Sequence, residues 1–170
     1  MKNKLLLLIF IFYTGNSYAS DKIAYININH ILNNSKVGQS ISKHIQEIKQ
    51  KKIDEFKLIE KQLSIKKKDL DTKKNIIEKK EFDNEVNQLN QEIAKYRNDK
   101  KKFSNEIDNK KMKYTKIVLN SLNPIISKYV EDNSITIVFP KKSIIIAKKN
   151  LDITSPVMDL LDSQLEKIDF

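Results

Sequence analysis

Few residues of this chain could do acid–base, nucleophilic or metal chemistry, and those few form no catalytic pattern. His30 and His44 are the only histidines, and there is no cysteine. Neither histidine stands at the spacing from a second ligand or a nucleophile that a metal site or a catalytic pair requires. The carboxylates between 47 and 108 alternate with lysines at helical spacing, which is typical of a solvated helix face. The sequence therefore favours a binding protein over an enzyme and predicts no catalytic residue, metal or cofactor.

The segment that dominates the chain is polar and uninterrupted. Residues 39–123 contain no glycine and no proline, and single apolar residues recur there at steps of three, four and seven. This spacing gives a helix with one narrow apolar face and an otherwise solvated surface. The segment therefore predicts one very long helix or a pair of long helices, too polar to form a globular core.

Two apolar stripes divide this segment and mirror each other. The first ends at Ile77 and the second begins at Phe82, so the step of five between them breaks the heptad phase. Folding the chain back there places the layers opposite one another, as in an antiparallel coiled coil. We predict a helical hairpin arm over 39–119 with its tip near 77–82; one continuous helix in a parallel coiled coil is the alternative. The predicted layers are Phe56, Leu63, Leu70, Ile77, Phe82, Leu89, Tyr96 and Phe103.

Two lysines interrupt the first stripe. Lys66 and Lys73 take positions in the apolar face and would lie opposite Ile93 and Val86 in the hairpin. We expect these gaps to leave the arm loosely packed, so that its helices can splay apart.

Strand signals lie on both sides of the arm. Residues 22–28 are β-branched and apolar at alternate positions, which predicts a strand, and Asn29 is a candidate cap for a short helix after it. Residues 135–139 and 143–147 are two further β-rich runs that predict a hairpin. The separated strands must meet to form one sheet, so the arm is an excursion from a small β-containing body, formed by 20–38 and 120–170.

The end of the arm and the last helix have their own signals. Pro124 lacks an amide proton and should end or kink the returning helix, and Asn133 is a candidate left-handed cap. Thr154 or Ser155 can cap a final amphipathic helix. Its expected inward residues are Val157, Leu160, Leu161 and Leu165. The predicted core of the body is Ala24, Ile26, Ile28, Ile135, Ile137, Phe139 and Ile145.

The first residues read as a secretory signal peptide. Lys2 and Lys4 precede an apolar run over 5–13, and small and polar residues follow as far as Ala19. We predict cleavage after Ala19 and export to the periplasm, with an uncleaved anchor as the alternative. A chain without cysteine has no disulfides in that compartment, and its body is small for an independent core. We therefore expect the chain to self-associate.

The positive charge is concentrated on the arm. Between Lys36 and Lys116, 23 Lys or Arg residues stand against 14 Asp or Glu residues, a net charge of +9 in a chain whose total is +10. Such an arm would attract partners with a negative surface, such as anionic lipid, nucleic acid or acidic polypeptides. Lysine, asparagine and isoleucine are frequent throughout, however, so a compositional bias is an alternative source of the lysines.

Four short motifs, in order along the mature chain, resemble the Skp/OmpH family of periplasmic chaperones. They are KIAYIN at 22–27, ILNNSKVG at 31–38, NPI at 123–125 and LDIT at 151–154. Each motif is weak alone, and their order and spacing around a charged coiled-coil segment are more specific. Members often have a glycine before the first late strand, where this chain has Asn133 and Ser134.

The resemblance implies a fold and a function. The implied fold is an α+β homotrimer shaped like a jellyfish, in which three subunits build a small β-barrel-like trimerisation body and each contributes a long antiparallel helical hairpin. The implied function is that of an ATP-independent holdase, which keeps unfolded outer-membrane proteins soluble in a cavity between the arms. Anionic lipid or lipopolysaccharide is a further partner that the resemblance leaves open. No residues of a site for either can be matched in this sequence.

Two other functions are compatible with parts of the sequence. A structural or tethering coiled coil of the cell envelope needs the arm and the self-association but no client. Nucleic-acid binding would use the lysines of the arm, but export from the cytoplasm argues against it, and we predict no nucleic-acid partner.

Overall fold

The computed structural model describes residues 21–170, so the predicted signal peptide over 1–19 lies outside the described residues. The fold is mostly helical, with a long helical hairpin and a small sheet. None of the helices within 21–170 is long and apolar enough to cross a membrane. The elements in chain order are β1 (Lys22–Ile26), α1 (Ile28–Asn34), α2 (Lys36–Lys73), α3 (Lys79–Asp132), β2 (Ile135–Pro140) and α4 (Thr154–Gln164), with 3-10 turns at Lys141–Ser143 and Lys149–Leu151.

The helical hairpin is confirmed. The 38 residues of α2 run out from the body, and α3 returns antiparallel to them over 54 residues. At 1.5 Å per residue α2 alone is about 57 Å long. Residues 74–78 connect the two helices, and the backbone amides of Ile76 and Ile77 both donate to the carbonyl of Lys73. These bonds close the turn without a glycine or a proline.

The returning helix does not end at Pro124. The sequence predicted that this proline would end or kink the helix, and the structure excludes the first of these two outcomes. Helix α3 continues to Asp132. Leu122 and Ile125 on either side of the proline are 0% and 6% exposed. Their burial offsets the cost of a proline inside a helix, which is about 3 kcal/mol. The left-handed residue after the helix is Ser134, with φ of 52°, whereas the predicted Asn133 has φ of −102°.

The two strands are parallel neighbours, although they are far apart in sequence. Tyr25 of β1 pairs with Phe139 of β2, and Ala24 pairs with Val138. A bulge shifts the register between Lys22 and Ile23. Because one extra residue in a strand reverses which side chains face the core, the bulge turns Val138 inward and Ile137 outward.

The predicted hairpin over 135–139 and 143–147 is wrong. A 3-10 turn over Lys141–Ser143 follows β2, and no strand is assigned to 143–147. The chain must next reach the far edge of β1, where Tyr25 forms an isolated bridge with Asp152. Residues 141–151 therefore cross the end of the sheet instead of folding back along β2.

The core of the body lies between the sheet and the helices. Five of its side chains are 0% exposed: Ile31, Val37, Leu122, Val157 and Leu161. They come from α1, α2, α3 and α4, so all four helices meet there. Leu160 was expected to point inward, but it is 39% exposed, since the neighbouring Leu161 takes the inward position.

The link from β1 to α1 differs from the prediction by two residues. The strand ends at Ile26, and Ile28 is the first residue of α1. Asn27, not Asn29, caps the helix, because its side-chain oxygen accepts a hydrogen bond from the amide of His30. Ile28 is therefore half-buried on a helix and is not the last inward residue of the strand.

Candidate functional site

Neither histidine is part of a cluster of potential metal ligands within 21–170. In the described part of the chain, no three His, Cys, Asp or Glu side chains are grouped so that they could hold a metal ion. His30 is exposed on α1, and its ring lies 3.3 Å from the side-chain nitrogen of Asn34. His44 lies at the base of the arm among aromatic rings. The arm and the outer faces of the body are the other candidate surfaces.

An aromatic layer stabilises the middle of the arm. Phe56 of α2 is 7% exposed and packs edge-on against Tyr96 and Phe103 of α3, with ring centroids 5.7 and 6.0 Å away. Such edge-to-face pairs contribute about 0.5–1.5 kcal/mol beyond the burial of their area. The phenolic hydroxyl of Tyr96 donates to Glu60, which also accepts from Lys100 at 3.3 Å. The bond from Tyr96, and then that from Lys100, lowers the pKa of Glu60.

The remaining predicted layers differ in how deeply they are buried. Leu70 and Leu89 are 7% and 9% exposed and border the same small cleft between the helices. Leu63 is half-buried beside Tyr96. Ile77, in the connection at the tip, and Phe82, in the first turn of α3, are also half-buried.

Ion pairs occupy the positions at which gaps were expected in the arm. Lys66 binds Glu92 at 2.6 Å, and Lys73 binds Glu85 at 3.2 Å and Asp69 at 2.9 Å. The bonds to Asp69 and Glu85 raise the pKa of Lys73. Lys66 and Lys73 were expected to leave gaps opposite Ile93 and Val86, but each forms an ion pair with a carboxylate on α3. A long lysine side chain can reach past the apolar stripe to such a carboxylate.

The predicted body core is split between two faces of the sheet. Ala24 and Ile26 are buried against the helices, and Ile28 and Ile135 are half-buried. Ile137 and Phe139 face the other way within the single chain, as a consequence of the bulge, and are 46% and 42% exposed. Ile145 lies outside the sheet and is 99% exposed.

The outward side chains form an apolar face, which we call the outer sheet face. Ile23, which is 47% exposed, pairs in register with Ile137, and Phe139 lies two residues further along β2. Ile145 and Ile146 follow in the exposed connection after β2. The sequence analysis predicted Ile137, Phe139 and Ile145 in the core of the body, and in the single chain all three are exposed.

A polar junction fastens the end of β1 to the start of α4. Asp152 accepts bonds from the amide of Thr154 at 2.9 Å and from its hydroxyl at 2.5 Å, and Lys141 lies 3.4 Å away. The Thr154 hydroxyl oxygen in turn accepts from the amide of Asn27 at 2.9 Å. Partial burial opposes ionisation of Asp152, but the bonds from Thr154 and Lys141 outweigh it and lower the pKa of the carboxyl group. The LDIT motif therefore has a structural role.

Two features at the base of the arm were not predicted. One is an open groove of about 540 Å³ between α2 and α3, bordered by Ile41, Ile45, Lys49 and Lys111. The other is the segment after α4, residues 165–170, which packs against the same helices through Ile168 and Phe170. Its apolar residues at 168 and 170 were a possible signal, but two residues are too few to distinguish a docked segment from an unstructured end.

The chain has relatives of known family and fold. It matches the family model described as outer membrane protein (OmpH-like) over residues 22–161, a range that includes both arm helices and most of the body. Its fold is similar to the crystal structure of a candidate outer membrane chaperone (OmpH-like) from Caulobacter crescentus CB15, with a TM-score of 0.80 at 19% identity. That similarity covers 89% of this chain and 90% of the other. No curated protein matches the sequence.

Proposed function

Because the chain belongs to the OmpH-like family of outer membrane proteins, as its four motifs predicted, we propose that it is a periplasmic chaperone. It holds unfolded outer-membrane proteins between its arms and prevents their aggregation, without ATP and without catalysing a reaction. The family match over residues 22–161 carries this proposal. The fold shared with the Caulobacter protein supports it. The predicted signal peptide, cleaved after Ala19, would supply the export that the function requires.

The proposal includes a homotrimer built around the body, formed by 20–38 and 120–170. The outer sheet face exposes Ile23, Ile137 and Phe139 side by side, and contiguous exposed apolar surface marks an interaction site. The outer edge of β2 has no partner strand within 21–170, so its backbone groups are free to pair with another chain. Association of three copies through this face and edge would bury both and close the sheet into a barrel-like body.

Light scattering tests the trimer with a matched pair of substitutions. Ile137→Lys places a charge on the outer sheet face, whereas Ile76→Lys makes the same exchange at the tip of the arm, where the isoleucine is 79% exposed. We expect the unaltered chain and the Ile76→Lys variant to have three times the chain mass, and the Ile137→Lys variant to be monomeric. A monomeric unaltered chain would contradict the trimer, and equal tolerance of the two variants would contradict the division into body and arm.

The arm, residues 39–119, would hold the client. Its net positive charge attracts acidic segments of an unfolded chain over about 8–10 Å at physiological salt. The apolar stripe by which its two helices pack together is narrow. Most of the arm's surface is therefore free for weak contacts with many different sequences. Leu58 and Ile65 are 65% and 56% exposed and lie seven residues apart, which places them on one face of α2.

The chaperone activity is tested by diluting a urea-unfolded outer-membrane barrel protein into buffer and following light scattering. Stoichiometric trimer should suppress the aggregation, and added salt should slow client capture. The variant Lys101→Gln/Lys102→Gln/Lys110→Gln removes three exposed charges from the arm and should weaken protection, whereas Lys142→Gln/Lys148→Gln/Lys149→Gln removes three from the body and should not. Retained trimerisation with no suppression would refute the chaperone and leave a tethering coiled coil.

A further inference from the structure

The segment after α4 lies along the base of the arm, and we call residues 165–170 the strap. Glu166 binds Lys36 at 2.5 Å. Ile168 packs against both apolar clusters, that of the body and that at the base of the arm. Phe170 stacks on His44 with ring centroids 3.8 Å apart and an interplanar angle of 11°. The strap thus covers the junction between the body and the arm.

After Leu165, which packs against the body, the strap contacts α2 and α3 through every second residue. Glu166, Ile168 and Phe170 make these contacts, although Glu166 and Phe170 stay partly exposed, and the exposed Lys167 and Asp169 alternate with them. This period of two is that of an extended chain with one face against a surface. The surface beneath the strap therefore binds side chains in the order acidic–x–aliphatic–x–aromatic, where x is a residue that points away from it.

The receiving surface has a separate contact for each side chain. Lys36 meets the acidic residue. The cluster of Ile45, Ile107 and Tyr114 meets the aliphatic residue, and these three side chains are 5%, 3% and 3% exposed. The aromatic residue stacks on His44 and meets Tyr114 edge-on, with centroids 5.5 Å apart. All of these groups belong to α2 and α3.

The strap is held by side chains alone. The amide of Leu165 still donates to the carbonyl of Leu161, but no backbone–backbone hydrogen bond holds residues 166–170 within the described chain. Phe170 remains 53% exposed, and the pair of Glu166 with Lys36 lies at the surface. Segments with few buried contacts and no backbone bonds open at low free energy. Another chain with the same pattern can therefore displace the strap.

We propose that the surface beneath the strap is a peptide-binding site for an extended segment of an unfolded client, and that the strap is its competitor within the chain. This inference rests on the proposed function, which supplies the client. Strands of outer-membrane barrels alternate apolar and polar residues and are rich in aromatic residues near their ends. Such strands present the aliphatic–x–aromatic pattern of Ile168 and Phe170. A client segment that displaces the strap would be held where the arm joins the body.

The binding test uses a labelled peptide, QLEKIDF, which is the strap preceded by Gln164, and measures its fluorescence anisotropy with the full chain. The variant Ile168→Ser/Phe170→Ser removes the two apolar contacts of the strap. If the strap fills its site about nine-tenths of the time, this variant should bind the peptide about tenfold more tightly than the unaltered chain. The control Lys167→Ser/Asp169→Ser changes the exposed residues of the same segment and should bind as the unaltered chain does. No binding to the Ile168→Ser/Phe170→Ser variant, with its helix content intact by circular dichroism, would overturn the proposal.

A second measurement leaves the apolar residues of the strap in place. The chain has no cysteine, so Asp169→Cys gives a single site for an environment-sensitive dye on an exposed residue. A urea-unfolded barrel protein should release the strap and change the dye signal, and it should also displace the bound QLEKIDF peptide. Peptide binding that the client does not displace would show that the site serves this chain alone, and would overturn the inference.

The two proposals can fail separately. Suppressed aggregation without displacement would overturn the strap site and leave the chaperone. Client binding at the strap without suppressed aggregation would overturn the holdase and leave the peptide site.

Discussion

Replacing Gly38 by alanine should destabilise the protein, although alanine is the better helix former. Gly38 lies in the first turn of α2, where that helix meets the end of α1. A Cβ atom built there would lie 2.1 Å from the carbonyl oxygen of Leu32 and 2.8 Å from its carbonyl carbon. Both are backbone atoms, so no flexible side chain can move aside. Either the α1–α2 corner shifts by about an ångström or the first turn of α2 opens.

The magnitude follows from three contributions. Overpacking of a tight site costs about 1–3 kcal/mol, and we take the upper end because the obstruction is backbone. The shift would also weaken the cap of α2, in which the Ser35 hydroxyl accepts from the Gly38 amide at 3.2 Å, at a cost of about 1 kcal/mol. The higher helix propensity of alanine offsets about 1 kcal/mol of this loss. The expected net loss is therefore about 3 kcal/mol in the free energy of unfolding.

Urea unfolding followed by circular dichroism measures this loss. All variants must be compared at one protein concentration, because association adds to the apparent stability. Ser42→Ala, one turn further along α2 at an exposed site, is the control and should change the free energy of unfolding by less than about 0.5 kcal/mol. A Gly38→Ala variant as stable as the unaltered chain would refute the close approach of α1 and α2.

Two further predictions concern the arm and the polar junction. Phe56→Ala removes the ring that packs on Tyr96 and Phe103 and should cost about 3 kcal/mol in urea unfolding, whereas Leu58→Ala, at a residue 65% exposed, should cost less than about 0.5 kcal/mol. Asp152 has a lowered pKa in the folded chain, so its contribution to stability is present above its unfolded pKa of about 3.9 and is lost as pH falls through the lower folded value. Asp152→Asn should therefore destabilise the protein near neutral pH, and its difference from the unaltered chain should shrink below about pH 4 in urea unfolding. A difference that is constant with pH would contradict the ionised state assigned to Asp152.

The arm could be predicted from sequence because its determinants are local. Helical spacing of apolar residues identified α2 and α3, and the phase break after Ile77 indicated the reversal of the chain. The ion pairs of Lys66 and Lys73 were missed because periodicity treats a lysine in an apolar stripe as a defect. A lysine side chain can cross the seam, and nothing in the spacing says which carboxylate it will reach.

The body was harder to predict because its pairing is non-local. Strands β1 and β2 are joined across more than a hundred residues, and one bulge decides that Val138 and not Ile137 faces the core. The bulge depends on how Lys22 and Ile135 meet, which no short window of sequence contains. Residues 143–147 have a strand-like composition. They form no strand because the chain has to reach the far edge of β1, where Asp152 forms a bridge with Tyr25.

The most deeply buried side chains of the arm lie at its base, and those nearest its tip are half-buried. This difference bears on how a client could be held. The base has a cluster of three buried side chains covered by the strap, and the middle has Phe56 and its two aromatic neighbours. Beyond them, Leu70 and Leu89 pack between surface ion pairs, which contribute only about 0–1 kcal/mol each. The outer part of the hairpin should therefore open more readily than the base. If clients of different size are accommodated by movement of the outer arm, firm attachment has to come from the base, where the strap covers the most deeply buried apolar cluster of the arm.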